Sequence, residues 1–286
     1  MSLSSKMGSS GKNNALLCPN CRKLISRSVA ECPYCKLGKP GSILKDNPLT
    51  RGAGPEKTIR LIIIINVVMF GLSVLVNFNP HAFSASPFHF LSPSNLSLAV
   101  LGATGTKAVF GLHQWWTLVS ASFLHGSLLH LLFNMIALFQ LGPLVAREFG
   151  VNRMVIIYLL SGVVGFLVSA LAGVWMTIGA SASICGLIGA MLYYGKHRGG
   201  TYGQAVFSQI GGWAIGIAFF GFMVPGINNW GHGGGMVAGF LLAMVLGYKE
   251  RKPDTFYHTA IATVSLVLTG LILAWSCLRG MALLIS

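Results

Sequence analysis

The sequence predicts an all-α, polytopic membrane protein headed by a small cysteine-rich domain, and three observations carry that expectation. The 286-residue chain is 53% hydrophobic and only 9% charged, with a mean hydropathy of +0.69, a balance foreign to soluble globular domains. Seven mostly apolar runs lie near 59–78, 117–141, 153–177, 181–195, 204–224, 230–248 and 259–278. Most approach the ~20 residues needed to cross ~30 Å of hydrocarbon. Four of the six cysteines fall within residues 18–35.

The head, residues 1–40, holds those cysteines as Cys18-Pro-Asn-Cys21 and Cys32-Pro-Tyr-Cys35. Two knuckles of this spacing can wrap four thiolates around one tetrahedral ion, and so small a segment lacks the core to fold unaided. The expectation is a cytoplasmic zinc-ribbon-like domain with a structural zinc; a pair of disulfides suits a reducing compartment less well. Arg22, Lys23, Arg27, Lys36 and Lys39 make the head basic. They read as a solvated face or a contact for anionic lipid or an unknown partner rather than for nucleic acid. Residues 41–58 read as a linker, and no cleavable signal peptide precedes the first run, which is expected to stay as an anchor.

The net charge of +14 is distributed by topology. Eleven Lys and Arg occur up to Arg60, and further groups occur at 147–153, 196–198 and 249–252, leaving only Lys107 and Arg279 opposite if the spans alternate. The positive-inside rule then places the N-terminus in the cytoplasm and, with seven spans, the C-terminus outside.

Within the spans the polar residues stand out, because a bilayer penalises unpaired polar groups and those present read as functional. Ser181 follows the short connector Thr177-Ile178-Gly179-Ala180 and opens a span of about fifteen residues, ending at Gly195-Lys196-His197-Arg198. That is roughly 22 Å at ~1.5 Å per residue, too short for both membrane faces, so Ser181 is expected to be submerged near the outer leaflet in a water-accessible cavity. A helix start offers free N–H groups and positive dipole beside Ser181, favourable to developing negative charge; the plainer role for the serine is a helix cap. His232 enters its own span from the same side, after Val224-Pro225-Gly226-Ile227-Asn228-Asn229, and histidine is the natural base for a hydroxyl nucleophile. Gly235 and Gly239 permit close approach of another helix, with Gly186 and Gly189 on the fourth span as the facing pair. A third cluster, His125-Gly-Ser-Leu-Leu-His130-Leu-Leu-Phe-Asn134, puts His130 and Asn134 on one helical face. They are placed to donate to an oxyanion, with His125 higher in the cavity and Gln140 deeper. No carboxylate or cysteine completes a metal shell there.

Together these blocks resemble the rhomboid family of intramembrane serine proteases across about residues 60–250. His125, His130, Phe133 and Asn134 are similar to its His-x4-His-x-x-Phe-Asn pattern, the run around Ser181 resembles its Gly-x-Ser-Gly, and Gly231-His232 with the following glycines resembles its Ala-His-x-Gly-Gly. The resemblance implies a six-helix core (59–250) plus one C-terminal transmembrane helix (251–286). It implies Ser181 as nucleophile, His232 as general base, and His130 and Asn134 with the Ser181 amide as oxyanion hole, without a catalytic cofactor. It implies transmembrane segments of other proteins, met within the lipid bilayer, as substrates. The outer segment from Asn79 to Gln114, closed by Trp115 and Trp116, corresponds to the family's large interfacial loop, with both rings expected at headgroup level. Ala182, Thr117 and Cys185 depart from the pattern. Ala182 adds a methyl where the backbone is expected to turn, Thr117 replaces a loop-stabilising Arg, and Cys185 replaces an aromatic ring near the histidine. These departures raise the alternative of an inactive relative that binds or escorts membrane clients. No His-Glu-x-x-His and no pair of membrane aspartates is present for the metallo- or aspartyl classes, and no internal repeat supports a transporter.

Overall fold

A computed structural model describes residues 15–18, 21, 23–35, 37–41, 54–76, 90–250 and 255–285. Arg22, Lys36, most of the expected linker and Asn79, Pro80 and Pro87 of the outer segment lie outside the described residues. The chain separates into two units, 1–53 and 54–286.

In the first unit, β1 (Ala15–Leu17) pairs antiparallel with β2 (Leu24–Ser26), Leu16 opposite Ile25. Strand side chains alternate between faces, so Leu16 and Ile25 turn inward and are buried with Cys18 and Cys32. That core is too small to hold a fold by burial alone.

The second unit is helical: α1 (Pro55–Val76), α2 (Asn95–Val100), α3 (Thr117–Ser120), α4 (Leu128–Phe149), α5 (Val151–Leu171), α6 (Ser181–Arg198), α7 (Gly200–Met223), α8 (Asn229–Leu246) and α9 (Phe256–Ile285). Five of them, α1, α4, α5, α7 and most of α9, are long and apolar enough to cross a membrane, as an integral multi-pass protein requires. The other two long helices, α6 and α8, have 18 residues each. Helix α6 is the hub, buried along nearly its whole length between α4, α5, α7 and α8. By contrast α7 buries only Gly203, Val206, Ile210 and Gly221 and barely touches α8. Helix α9 is tied near its start, Asn152 Nδ2 donating to Thr259 Oγ1 at 3.0 Å, and further along by Ser276, which donates to the Leu101 carbonyl.

Several expectations change. The second long helix starts at Leu128, not 117, because residues 117–123 form α3 and a 3-10 turn packed against protein. The third ends at Leu171, so the connector to α6 spans nine residues instead of four. It is held by an antiparallel bridge, Thr177 N to Thr104 O at 2.7 Å and Thr104 N to Thr177 O at 3.2 Å. Helix α6 continues through Lys196 to Arg198, about 27 Å at ~1.5 Å per residue, so its length alone does not force Ser181 below the surface. Thr117 stabilises the loop itself, its hydroxyl donating to Gln114 O at 2.6 Å and lying in hydrogen-bond contact with Thr104 Oγ1 at 3.0 Å. Trp115 is half exposed, whereas Trp116 packs under the Arg279 guanidinium, 5.5 Å from its ring centre.

Candidate active site and cysteine cluster

The helices α4, α6 and α8 all begin at one end of the bundle. His130 is the third residue of α4, Ser181 the first of α6 and His232 the fourth of α8. Three helix N-termini therefore converge, each contributing partial positive charge and free N–H groups. Ser127 caps α4 by accepting from the His130 amide at 3.2 Å, and Asn228 caps α8 by accepting from the Gly231 amide at 2.9 Å. Ser181 is not a cap: Ala180 holds that position with no side-chain bond. Its hydroxyl is left for another partner.

That partner is His232, whose Nε2 lies 2.9 Å from Ser181 Oγ. The approach depends on absent side chains. A Cβ on Gly235 would come within 2.2 Å of the Ala182 carbonyl, one on Gly239 within 1.9 Å of the Gly186 carbonyl, and one on Gly189 within 1.9 Å of the Met236 carbonyl. Backbone thus meets backbone along α6 and α8, as small residues allow in membrane helix pairs. The other ring nitrogen, Nδ1, is buried without a partner among the described residues. Among them no carboxylate orients the ring, so the pair is a dyad.

The turn before Ser181 is made by Gly179 (φ +119°), not by Ala182. Ala182 sits inside α6, its methyl facing the bare Cα of Gly165, where any Cβ would approach it to 3.1 Å. The expected conflict of that methyl with a turn does not arise. Gly179 also seats His130: a Cβ there would lie 2.8 Å from the imidazole's Cε1 and Nε2 and 3.7 Å from Ser181 Oγ. Since His130 Nδ1 accepts the Gly126 amide at 3.4 Å, its Nε2 carries the proton and faces the Ser181 turn.

His125 is wholly buried and meets the His130 ring edge to face, centroids 5.0 Å apart. Asn134 is buried, but its amide donates back to the His130 carbonyl at 2.9 Å. No bond joins it to Ser181 or His232. Gln140 faces outward, exposed. Cys185 is buried one turn into α6. One residue with a structural part at this site, Asn228, is not singled out in the sequence. The available signal is an Asn just before an apolar run, which reads as a helix cap. Gly179 stands in the sequence as the first glycine of the Gly-x-Ser-Gly resemblance, which does not reveal its contact with His130.

In the first unit, the sulfurs of Cys18, Cys21, Cys32 and Cys35 all lie within 4.8 Å of one another. Cys18 and Cys35 are 3.6 Å apart and Cys21 and Cys32 3.7 Å, close to the edge of about 3.8 Å for a tetrahedron with metal–sulfur bonds of ~2.3 Å. Four thiols so placed can hold a metal ion. Burial raises the Cys21 thiol, bringing it to about 12. Burial also raises Cys32, but the Cys35 and Tyr34 amides aimed at its sulfur outweigh this and bring it down to about 6.

Comparison with known proteins bears on the family. A family model described as the rhomboid domain matches residues 112–249. RHOMBOID-like protein 4 of Arabidopsis thaliana is 37% identical over 158 residues, 54% of this chain and 40% of that protein. Rhomboid protease GluP of Bacillus subtilis (strain 168) is 36% identical over 176 residues, 62% of this chain and 34% of that protein. Against these two the match spans less than half the relative's length. A second B. subtilis rhomboid, YdcA, is 30% identical over 146 residues, which make up 49% of this chain and 71% of its own. With Ser181 and His232 in hydrogen-bond contact at the head of a glycine-packed helix pair, and relatives of this extent, the chain belongs to the rhomboid family.

Proposed function

We propose that this protein is an intramembrane serine endopeptidase that cleaves transmembrane segments of other membrane proteins with the Ser181–His232 dyad. The 2.9 Å contact between Ser181 Oγ and His232 Nε2 carries the reading. His232 Nε2 takes the hydroxyl proton as Oγ attacks a substrate carbonyl, giving a tetrahedral oxyanion and an imidazolium. The oxyanion is met by the amide of Ser181, the Nε2–H of His130 and, after its side chain turns from the His130 carbonyl, Asn134. The imidazolium then protonates the leaving amine, and water, deprotonated by the same nitrogen, releases the acyl group from Oγ. Packing of α8 orients the imidazole, the task a carboxylate performs in a triad. His125 supports the His130 ring through their edge contact.

The N-terminus and the cysteine-bearing head are assigned to the cytoplasm from the charge distribution. The head, residues 1–40, is assigned one structural zinc on Cys18, Cys21, Cys32 and Cys35, a closed tetrahedral thiolate shell that serves folding. Residues 41–58 act as linker, 59–250 as the catalytic core and 251–286 as the additional helix. Ala182, which suggested an inactive relative, is accommodated by Gly165 and leaves the reacting groups in contact.

A fluorophosphonate probe tests the dyad in detergent-purified protein. The expected result is a single adduct on Ser181 by mass spectrometry, absent from Ser181→Ala; no adduct, or one that survives the substitution, overturns it.

A further inference from the structure

Resting on the dyad reading, we infer that Asn228 is the positioning residue of this site, orienting His232 through the backbone of α8 where other serine hydrolases use a carboxylate on the ring. Among the described residues His232 Nδ1 has no partner, so the direction of the imidazole depends on where α8 begins. The side chain of Asn228 caps that start. The Oδ1 of Asn228 accepts the Gly231 amide at 2.9 Å, and its carbonyl accepts the His232 amide at 3.1 Å. A backbone amide can only donate, so the oxygen's place is fixed and the NH2 group faces the opposite way. There it donates to Ser169 Oγ at 2.7 Å and to Thr177 Oγ1 at 2.8 Å.

Those two acceptors belong to the other parts of the site. Ser169 lies on α5, and Thr177 lies on the connector that leads through Gly179 to Ser181, four residues on. The Thr177 backbone is itself clamped by its bridge to Thr104. Asn228 therefore ties the start of the base-bearing helix to the strand-like connector that delivers the nucleophile. Both N–H bonds and the capping bond are made, so the amide has little freedom left.

Gly231 shows that the arrangement belongs to this chain. A Cβ at Gly231 would stand 2.8 Å from Asn228 Nδ2 and 3.2 Å from its Cγ. The glycine at 231, where the resembling pattern carries alanine, leaves the room that the bonded amide occupies. Alanine there would push the amide off its two hydroxyl acceptors.

The test measures the inactivation rate constant and the probe dissociation constant for fluorophosphonate labelling of Ser181 in the full chain. The variants are Asn228→Ser, Thr177→Val, Gly231→Ala, and Gly231→Ala combined with Asn228→Ser. Serine keeps a capping oxygen but cannot span to Ser169 and Thr177. The expected rate constant falls about 10- to 100-fold for Asn228→Ser, the scale of a small misplacement of reacting groups. It falls to a lesser degree for Thr177→Val and Gly231→Ala, and the double variant is no slower than Asn228→Ser alone, with probe affinity within about twofold throughout. A role confined to stability would lower the fraction labelled at the plateau and leave the rate constant of the labelled fraction unchanged; that result overturns the inference while leaving the dyad intact. Additive losses in the double variant overturn it likewise. A wild-type chain that fails to label overturns both.

Discussion

The two ends of α4, α6 and α8 are built on opposite principles. At their starts, His232 Nδ1 and both nitrogens of His125 are buried without partners among the described residues, and no carboxylate is in contact with them. At their other ends charges are matched: Arg147 Nε meets Glu148 Oε1 at 2.7 Å, Tyr202 OH donates to the same oxygen at 2.9 Å, and Arg198 Nε meets Glu250 Oε2 at 3.2 Å. The Glu148 carbonyl also accepts the Lys249 amide at 2.9 Å, and Lys249 Nζ donates to Ala146 O at 3.2 Å. The matched end binds the start of α7 and the exit of α8 to the bundle. The unmatched end leaves the His232 Nδ1 and His125 nitrogens without partners among the described residues, and its cohesion comes from glycine contacts and the Asn228 hydrogen bonds. On the proposed function, stability and chemistry are separated along the same helices.

The separation breaks most visibly at the dyad. His232→Ala should lower the rate of Ser181 labelling by at least about 10³-fold, while urea or thermal unfolding moves by no more than about 1 kcal/mol, since the ring satisfies no buried group but Ser181. A large loss of stability would show that the unpaired end is structural after all. Gly239→Val is the next largest effect: its side chain meets the Gly186 carbonyl, so α8 must move off α6 at a cost of about 3 kcal/mol. Unfolding and labelling should fall together.

Gly179→Ala should cost about 1–2 kcal/mol for φ +119°, yet depress labelling about 10²-fold because the methyl displaces His130 as well. Equal, small effects on both would remove His130 from the site. At the opposite end Glu148→Gln should shift stability by about 1 kcal/mol, Arg147 being largely exposed, with labelling unchanged within about twofold.

A separate effect concerns the head. Binding metal requires thiolates. Cys32 sits at about 6 and is largely ionised at neutral pH, whereas Cys21 sits at about 12 and must release a proton to the solvent. Apparent zinc affinity should therefore rise at least about tenfold per unit of pH between 7 and 9 and weaken further below pH 6, as Cys32 also protonates. A chelator competition series measures this; affinity flat across that range would argue against Cys21 as a ligand.

Much of this contrast is legible in the sequence, for identifiable reasons. Ser181, His232 and the facing glycines stand out because polar groups and bare helix faces are rare in apolar runs, and the Cys-x-x-Cys pairs because their spacing encodes a shell. The start of α4 is not legible, because residues 117–124 are as apolar as a span but are buried by protein rather than by lipid. The role of Asn228 is hidden by its neighbours: an asparagine among Pro225, Gly226 and Asn229 reads as a turn, and its partners Ser169 and Thr177 are 59 and 51 residues away. Ala182 misleads because the left-handed residue is displaced to Gly179, a shift that only backbone geometry reveals.

The most direct measurement is cleavage of a single transmembrane segment co-reconstituted with the purified chain in liposomes. Wild type should yield two fragments cut within or at the edge of the apolar segment, and Ser181→Ala none; an intact substrate with wild type, or equal cleavage by Ser181→Ala, would contradict the account.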